Sequence, residues 1–168
     1  MAGLEMFRAE LVQLLPRLRR FARVMTRHPA DADDLVQLGV ERALSRWQQW
    51  QPGSRLDSWM FGILRNAWFD ELRVRRRHDR VFDAEATGVD VGENSAARQV
   101  ERMSIAQVMA RLPEEQRLVV ALVLVEGLSY QEASDALDIP IGTLTSRLAR
   151  ARAALIRELG DSVAGDAA

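Results

Sequence analysis

Apolar residues recur at steps of three and four along the first 25 positions, which is the spacing of one face of a helix. The stripe consists of Leu4, Phe7, Leu11, Leu14, Leu18, Phe21 and Met25. Pro16 interrupts it, and a proline lacks the amide hydrogen and clashes with the preceding turn. The pattern predicts an N-terminal helix that is kinked or divided near Leu15.

Two more helices are predicted before residue 80. The second starts near Asp31 to Asp34, because carboxylates suit the positive end of a helix dipole, and it ends at Gln51-Pro52-Gly53-Ser54. The third has Asp57 as its predicted N-cap and an apolar face from Trp59 to Leu72. Since three such helices can share a core, residues 1–80 are expected to form one small helical domain.

The segment 81–102 lacks sustained periodicity and is rich in Asp, Glu, Gly and Ser, so it predicts a flexible acidic linker. Helical spacing resumes at Met103, and Pro113 suits the first turn of a helix that stops at Gly127. The apolar run Leu118–Val125 alone is compatible with a strand. Its place between a proline start and a glycine stop favours a buried helix.

The residues after Gly127 predict a helix-turn-helix. Ser129-Tyr130-Gln131-Glu132 has the spacing of a capping box, Asp138–Gly142 must turn, and a last helix begins near Thr143. Its predicted inner face is Leu144, Leu148, Ala151, Leu155 and Leu159, and its outer face is Ser146, Arg147, Arg150 and Arg157. We therefore expect an all-α fold of two small domains, 1–80 and 103–160, with a C-terminal tail at 161–168 and no strand.

Charge is segregated along the chain, although 23 basic and 24 acidic residues leave a net charge of −1. Residues 1–80 hold 15 Arg against 10 acids, whereas 81–104 hold 2 Arg against 5 acids. Every basic residue is arginine, which suits contact with phosphates and base edges, and a GC-rich genome produces the same bias. The absence of cysteine excludes disulfides and thiolate zinc sites. Because the longest apolar run is far shorter than the ~20 residues that cross a bilayer, we expect a cytoplasmic protein without membrane insertion.

The predicted last helix carries the strongest candidate chemistry. Arginine and short hydroxyl side chains on a helix suit the major groove of DNA, although a solvated amphipathic helix has the same pattern. The arginine-rich segment 73–80 either contacts a nucleic-acid backbone or offsets the carbonyls of a helix end. Trp47, Trp50, Trp59 and Trp68 are core residues, or one at the loop edge stacks on an unpaired base.

Catalytic and metal-binding patterns are absent from the sequence. It contains no recognisable Ser/His/Asp order, glycine-rich phosphate loop or pocketed carboxylate pair. Capping explains the Asp31, Asp33 and Asp34 cluster, and His28 and His78 lack a second ligand at metal-binding spacing. We therefore expect no enzyme activity, no metal and no cofactor.

Three motifs in order resemble bacterial extracytoplasmic-function (ECF) sigma factors. Asp33-Asp34-Leu35-Val36-Gln37 with Glu41-Arg42-Ala43-Leu44 is similar to their region 2, and the segment 58–66 with Asp70 and Arg73 looks like their promoter-melting region. Leu112-Pro113 and the segments 127–133 and 142–148 resemble their region 4. The resemblance covers residues 5–80 and 103–159.

This resemblance implies a protein that binds the clamp and flap of core RNA polymerase, directs it to promoter DNA and is controlled by an anti-sigma factor. The implied core-polymerase residues are Asp33, Asp34, Gln37 and Glu41. Those implied for the melted −10 element are Trp50, Gln51, Gly53, Ser54, Arg65, Asn66, Arg73, Arg75 and Arg76. Those implied for the −35 duplex are Thr143, Thr145, Ser146, Arg147 and Arg150. The linker would run through the polymerase toward the RNA exit path.

The sequence departs from the family pattern at three positions. Thr145 stands where relatives commonly have a basic residue, and Gly39 and Gly62 replace larger residues. Each glycine costs about 1 kcal/mol of helix propensity relative to alanine, with no compensation evident in the sequence. Two rival functions remain: a stand-alone helix-turn-helix repressor or activator, which leaves the tryptophan-flanked loop and the Asp-rich helix unexplained, and a helical hydrolase.

Overall fold

The computed structural model describes residues 2–82 and 105–164. They form α1 (Ala2–Thr26), α2 (Pro29–Ser45), a 3-10 turn (Trp47–Gln49), α3 (Leu56–Phe82), α4 (Ile105–Arg111), α5 (Glu114–Val120), a π-helical segment (Ala121–Val125), α6 (Tyr130–Leu137) and α7 (Ile141–Ala164). The predicted all-α fold is confirmed, and these two stretches contain no strand. None of the described helices is long and apolar enough to cross a membrane.

Helices α1, α2 and α3 form an N-terminal bundle around a buried aromatic core. The rings of Phe21 and Phe61 meet edge to face, with their centroids 5.0 Å apart. Of the two predicted outcomes near Leu15, the division of α1 is wrong, because one helix continues through Pro16, and the kink stays a prediction. Pro16 is exposed, whereas Leu11 and Leu18 on either side of it are buried in the core, so packing before and after the proline holds α1 together.

Both unusual glycines lie where helices pack closely. A Cβ atom on Gly39 would lie 2.4 Å from Cδ2 of Leu64, so α2 can approach α3 only because this side chain is absent. A Cβ atom on Gly62 would lie 3.6 Å from the carbonyl oxygen of Ala136 in α6. The expectation of no compensation is therefore wrong for Gly39, and Gly62 lies at the contact between α3 and α6.

Helices α4 to α7 form a C-terminal group built around the predicted helix-turn-helix. The capping box at Ser129 and Glu132 is confirmed, and Asp138 ends α6 in the left-handed conformation with φ 52°. Helix α7 begins at Ile141, two residues before Thr143, and continues to Ala164, so the first four residues of the predicted tail, 161–164, are helical. Leu159 is 43% exposed, which makes its predicted inner-face position wrong.

The N-terminal bundle and the C-terminal group pack against each other, α3 on α6 and α1 on α5 and the π-helical segment. Most of their buried apolar side chains belong to one continuous cluster that runs from Phe7 to Ala151. The predicted linker lies, except for its first two residues, outside the described residues. The end-to-end order of the helices thus follows the sequence prediction, and the contact between the two halves is an additional feature.

Candidate nucleic-acid interface

The predicted polymerase-binding residues share one exposed face of α2. Asp33, Asp34, Gln37 and Glu41 are all exposed, and their spacing of three and four residues places them side by side on the helix. Gln37 Nε2 donates a hydrogen bond to Glu41 Oε1 at 3.1 Å. The structure therefore brings this predicted set together as one acidic surface.

The predicted −10 loop between the 3-10 turn and α3 is an exposed, tight turn. Gly53 adopts φ +89°, which favours glycine, and Ser54 donates both its backbone N–H and its hydroxyl to the carbonyl oxygen of Gln51, at 3.0 Å and 2.7 Å. Gln51, Gly53 and Ser54 are exposed. Their polar groups are accessible for contact with a ligand.

Trp50, at the start of this loop, points into the core instead. It is 5% exposed, and its ring lies 5.6 Å from the ring of Phe7, centroid to centroid. Its indole Nε1 has no hydrogen-bond partner among the described residues. In this conformation the face of Trp50 is not available to a base, so a stacking role requires the loop to move away from Phe7.

A groove of about 580 Å³ lies beside the loop, between α3 and α6. Ser54, Trp59 and Asn66 line it from the N-terminal bundle, and Glu132 and Asp135 line it from α6. Trp59 is half-buried, and its ring contacts Phe7 edge to face with centroids 6.1 Å apart. Trp59 is therefore the tryptophan that faces the groove beside the loop. The spacing of the tryptophans in the sequence did not distinguish it from the others.

The predicted −10 arginines divide into two places along α3. Arg65 lies beside Asn66, to whose Oδ1 it donates at 2.9 Å, and its guanidinium lies 5.0 Å from the ring centre of Phe69. Arg73, Arg75 and Arg76 lie near the end of α3, and Arg76 is about 15 Å farther along the helix than Asn66 at 1.5 Å per residue. The structure therefore does not bring the predicted −10 residues together as one cluster.

Arg75 is also engaged within the protein. It forms ion pairs of 3.0 Å with Asp31 and 3.0 Å with Glu71, and its guanidinium lies 5.5 Å from the ring centre of Trp68. Hydrogen bonds to Asp31 and Glu71 raise the pKa of Arg75, and the same bond from Arg75 lowers the pKa of Asp31. Arg75 therefore ties α3 to the start of α2 and would have to leave these partners to contact DNA.

The predicted −35 residues occupy the first three turns of α7. Thr145, Ser146 and Arg150 are exposed, whereas Thr143 is half-buried. The hydroxyl of Thr145 donates to the carbonyl oxygen of Ile141 at 2.8 Å, and that of Ser146 to Thr143 at 3.0 Å. Each hydroxyl oxygen can still accept a hydrogen bond from a ligand.

Arg147 is partly sequestered from this surface. Its guanidinium pairs with Glu115 of α5 at 2.9 Å, and its side chain is 22% exposed. The accessible cation among the predicted −35 residues is therefore Arg150.

An ionic cluster between the two halves was not predicted from the sequence. This Arg17 cluster consists of Arg17, Arg20, Asp57 and Glu126. Arg17 donates to Glu126 Oε2 and to Asp57 Oδ2, both at 2.8 Å, and to the Glu126 carbonyl oxygen at 2.9 Å, while Arg20 donates to Glu126 Oε1 at 2.9 Å. The Glu126 side chain is 2% exposed. No sequence signal marks these contacts, because Arg17 and Glu126 are 109 residues apart.

The electrostatics of the Arg17 cluster favour the charged forms of Asp57 and Arg17. Burial disfavours the charge of Asp57, but hydrogen bonds from Arg55 and Arg17 outweigh it and lower the pKa of Asp57. Burial likewise opposes the charge of Arg17, and the bonds to Glu126 and Asp57 raise its pKa. Within the described ranges, no group of three or more His, Cys, Asp or Glu residues is arranged to hold a metal ion.

Known protein families match both halves of the chain. A family profile described as "Sigma-70, region 4" matches residues 102–155, and one described as "Sigma2 domain of PhyR" matches residues 11–65. The ECF RNA polymerase sigma factor EcfG of Rhodopseudomonas palustris is 34% identical over 148 residues, which cover 88% of this chain and 82% of EcfG. The chain belongs to the ECF sigma factors.

A further curated relative and two solved structures are also similar to this chain. SigM of Mycobacterium tuberculosis is 33% identical over 86% of this chain and 72% of SigM. The sigma factor RpoE of Bartonella quintana, solved in complex with the anti-sigma factor NepR, has a TM-score of 0.74 and 30% identity over 92% of this chain and 96% of RpoE. CnrH, solved with the cytosolic domain of CnrY, shares the fold with a TM-score of 0.64 at 23% identity.

Proposed function

We propose that this ECF sigma factor binds core RNA polymerase and directs it to promoters, reading a −35 duplex with α7 and a melted −10 strand with the loop and groove next to α3. The protein supplies no catalytic group of its own and acts in the cytoplasm, where the polymerase is. The observation that carries this proposal is the presence, in one chain, of a helix-turn-helix and a separate polar loop groove. Intact and melted DNA differ in shape, so each needs its own surface.

Binding of the polymerase is assigned to the acidic surface of α2. Asp33, Asp34 and Glu41 present carboxylates to solvent with no ion pair to a described residue, which leaves them available to a basic partner surface. Complementary charge accelerates encounter and fixes register more than it adds affinity. We assign Gln37, which lies between them, to the same contact.

Recognition of the −10 strand is assigned to the loop and to the adjacent part of α3. Gln51, Gly53, Ser54 and Asn66 offer amide, hydroxyl and backbone groups to the edge of an unstacked base, and Trp59 offers an aromatic face. Trp50 joins them only if the loop opens. Arg65, Arg73, Arg75 and Arg76 are assigned to the phosphate backbone along α3, where each cation neutralises one phosphate.

Recognition of the −35 element is assigned to the exposed face of α7. Arg150 can form paired hydrogen bonds with a guanine edge, and Thr145 and Ser146 offer adaptable hydroxyl contacts. We assign Arg147 and Thr143 to the flanking phosphates. Thr145 in place of a basic residue leaves α7 with one cation fewer than the family pattern.

An anti-sigma protein is the proposed regulator. The solved RpoE of Bartonella quintana is bound to NepR, and its fold matches this chain over 92% of its length. A protein of that kind is expected to bind this sigma factor on the same surfaces that contact polymerase and promoter.

Reconstituted transcription tests the function. The purified chain is mixed with core polymerase from its own bacterium and a genomic promoter library, and transcripts are sequenced. We expect initiation from a restricted promoter set that core polymerase alone does not use. Failure to co-elute with core polymerase, together with tight binding of the chain alone to a duplex operator, would instead establish a stand-alone helix-turn-helix regulator.

A further inference from the structure

Another cavity, of about 440 Å³, lies where the C-terminal end of α1 meets the turn between α4 and α5. Three arginines line it, Arg27, Arg111 and Arg117, together with one carboxylate, that of Glu114. We propose that this Arg117 cavity binds a small phosphate anion, either inorganic or the phosphate tail of a nucleotide. No residue assigned to the polymerase or to the promoter lines it, so the inference stands independently of the proposed function.

Arg117 is a buried cation that forms no ion pair with a described residue. It is 5% exposed, and it donates from Nε to the carbonyl oxygen of Val24 and from Nη1 to that of Leu112, each at 3.0 Å. These two acceptors use only part of the five N–H donors of the guanidinium and carry no full negative charge. The buried carboxylates of Asp57 and Glu126, by contrast, are each ion-paired with an arginine. A buried charge without such a partner is costly, so the position favours an anion.

The charges around Arg117 also favour an added anion. Burial lowers the pKa of Arg117, the nearby charge of Arg27 lowers it further, and the charge of Glu114 opposes both. Because this pKa stays below its ordinary value, burial and repulsion together outweigh the attraction of Glu114. Arg111 is already paired, at 2.8 Å, with Glu158 of α7. We therefore assign Arg27 and Arg117 to the anion, which would offset the repulsion between them.

Capping of helix ends accounts for only part of this arrangement. Arg117 binds the carbonyl oxygen of Val24 in the last turn of α1, and Arg27 binds that of Ala110 in the last turn of α4 at 3.0 Å. Cations are favourable there, because the C-terminal end of a helix carries roughly half a negative charge. Two helix ends thus offset about one of the two cations, and a net positive charge remains for a ligand.

Trp68 of α3 lines the same cavity and adds a further donor. Its indole Nε1 is buried and has no hydrogen-bond partner among the described residues. Buried N–H groups are ordinarily paired, so this one favours a ligand that is rich in acceptors. A phosphate group presents several charged acceptor oxygens in a compact shape and forms short, strong hydrogen bonds with guanidinium groups. A carboxylate offers fewer oxygens, and a cation or an apolar molecule matches neither the donors nor the charge.

Calorimetric titration of the full chain tests the site, with sodium phosphate, sodium pyrophosphate and ATP as probes at constant ionic strength. We expect one pyrophosphate to bind per chain with a Kd below about 1 mM. Arg27→Gln should weaken this binding at least about tenfold, because it removes one of the two assigned cations and its charged hydrogen bonds. Arg27 is exposed, so the substitution does not disturb the core.

Arg19→Gln is the matched control for Arg27→Gln. Arg19 is also exposed on α1, about 12 Å from Arg27 at 1.5 Å per residue, and it does not line the cavity. Its loss should leave the affinity for pyrophosphate within about twofold, because salt screens exposed charges over this distance.

Tryptophan fluorescence locates the bound anion independently of the affinity. Pyrophosphate should change the emission of the unsubstituted chain, and Trp68→Phe should remove that change while the far-UV circular dichroism stays the same. Trp47→Phe replaces a half-buried tryptophan outside the cavity and should retain the change.

Comparison of the three probes identifies the source of the phosphate. Equal affinities for pyrophosphate and ATP would show that the phosphate tail alone is recognised, and tighter binding of ATP would identify a nucleotide; both results support the site. Absence of saturable binding of all three probes below about 1 mM would overturn it. Equal losses in Arg27→Gln and Arg19→Gln would also overturn it, in favour of a nucleic-acid strand along the arginines of α1. A fluorescence change that survives Trp68→Phe would place the anion outside this cavity and refute the assignment.

Discussion

Adding one methyl group at Gly39 tests the close packing of α2 on α3. In Gly39→Ala the new Cβ would lie 2.4 Å from Cδ2 of Leu64, a side chain with no exposed surface. Leu64 can avoid the contact only by displacing its core neighbours. Gly62→Ala is the matched control, because its Cβ would meet only ordinary contacts, the nearest at 3.6 Å.

The two substitutions share one favourable effect and differ in one unfavourable effect. Both replace a glycine inside a helix with alanine, which favours folding by about 1 kcal/mol. Overpacking at Gly39 costs about 1–3 kcal/mol, whereas Gly62 has space. The propensity gain cancels in the comparison, so the free energy of unfolding of Gly62→Ala should exceed that of Gly39→Ala by about 1–3 kcal/mol.

Tryptophan fluorescence during urea unfolding measures the difference in the free energy of unfolding between the two variants, and it reports on the N-terminal bundle. All four tryptophans lie between residues 47 and 68, within the N-terminal bundle that contains both glycines. In a Leu64→Ala background, where the clashing methyl group is gone, Gly39→Ala should become stabilising by about 1 kcal/mol. Equal stabilisation by Gly39→Ala and Gly62→Ala in the natural background would refute the packing argument.

Four further predictions concern the surfaces and the pH response. Arg150→Ala should weaken binding of the −35 duplex by about 1–3 kcal/mol in an anisotropy titration. The control Arg8→Ala, at an exposed position of α1, should leave this affinity unchanged. Equal losses for the two variants would show that Arg150 contributes only nonspecific charge. Asp34→Ala should lower the affinity for core polymerase, measured by biolayer interferometry, and an unchanged Kd would remove Asp34 from that contact. Trp50→Ala should destabilise the N-terminal bundle by about 3–5 kcal/mol in urea unfolding, because the indole is buried against Phe7; a stable variant with impaired promoter melting would instead favour the stacking role. The pKa of Asp57 in the folded protein lies below its ordinary value. The contribution of Asp57 to stability is therefore complete above about pH 4, the ordinary value, and is lost as the pH falls through the folded value. Asp57→Asn should lower the urea midpoint at pH 7 and make that midpoint less dependent on acid pH.

Local signals in the sequence determined the helices and much of the proposed recognition surface. Periodic apolar residues predicted the helices before and after the segment 81–102. Ser129 with Glu132 predicted the start of α6, because a capping box depends on neighbours three residues apart. The acidic face of α2 and the outward residues of α7 followed from the same helical spacing. The division of α1 at Pro16 was wrong, since packing of the helix against its neighbours outweighs the loss of one hydrogen bond.

Tertiary structure alone decided how the helices pack and which charges meet. The loss of helix propensity at Gly39 is explained by the close packing of this position against Leu64, 25 positions later in the chain. The four residues of the Arg17 cluster come from three segments that are distant in the chain. The sequence places Trp50 at the edge of a loop, but its side chain packs in the core beside Phe7. Periodicity reports which face of a helix is apolar and not which helix covers it, so contacts between residues distant in the chain appear only when the whole chain is folded.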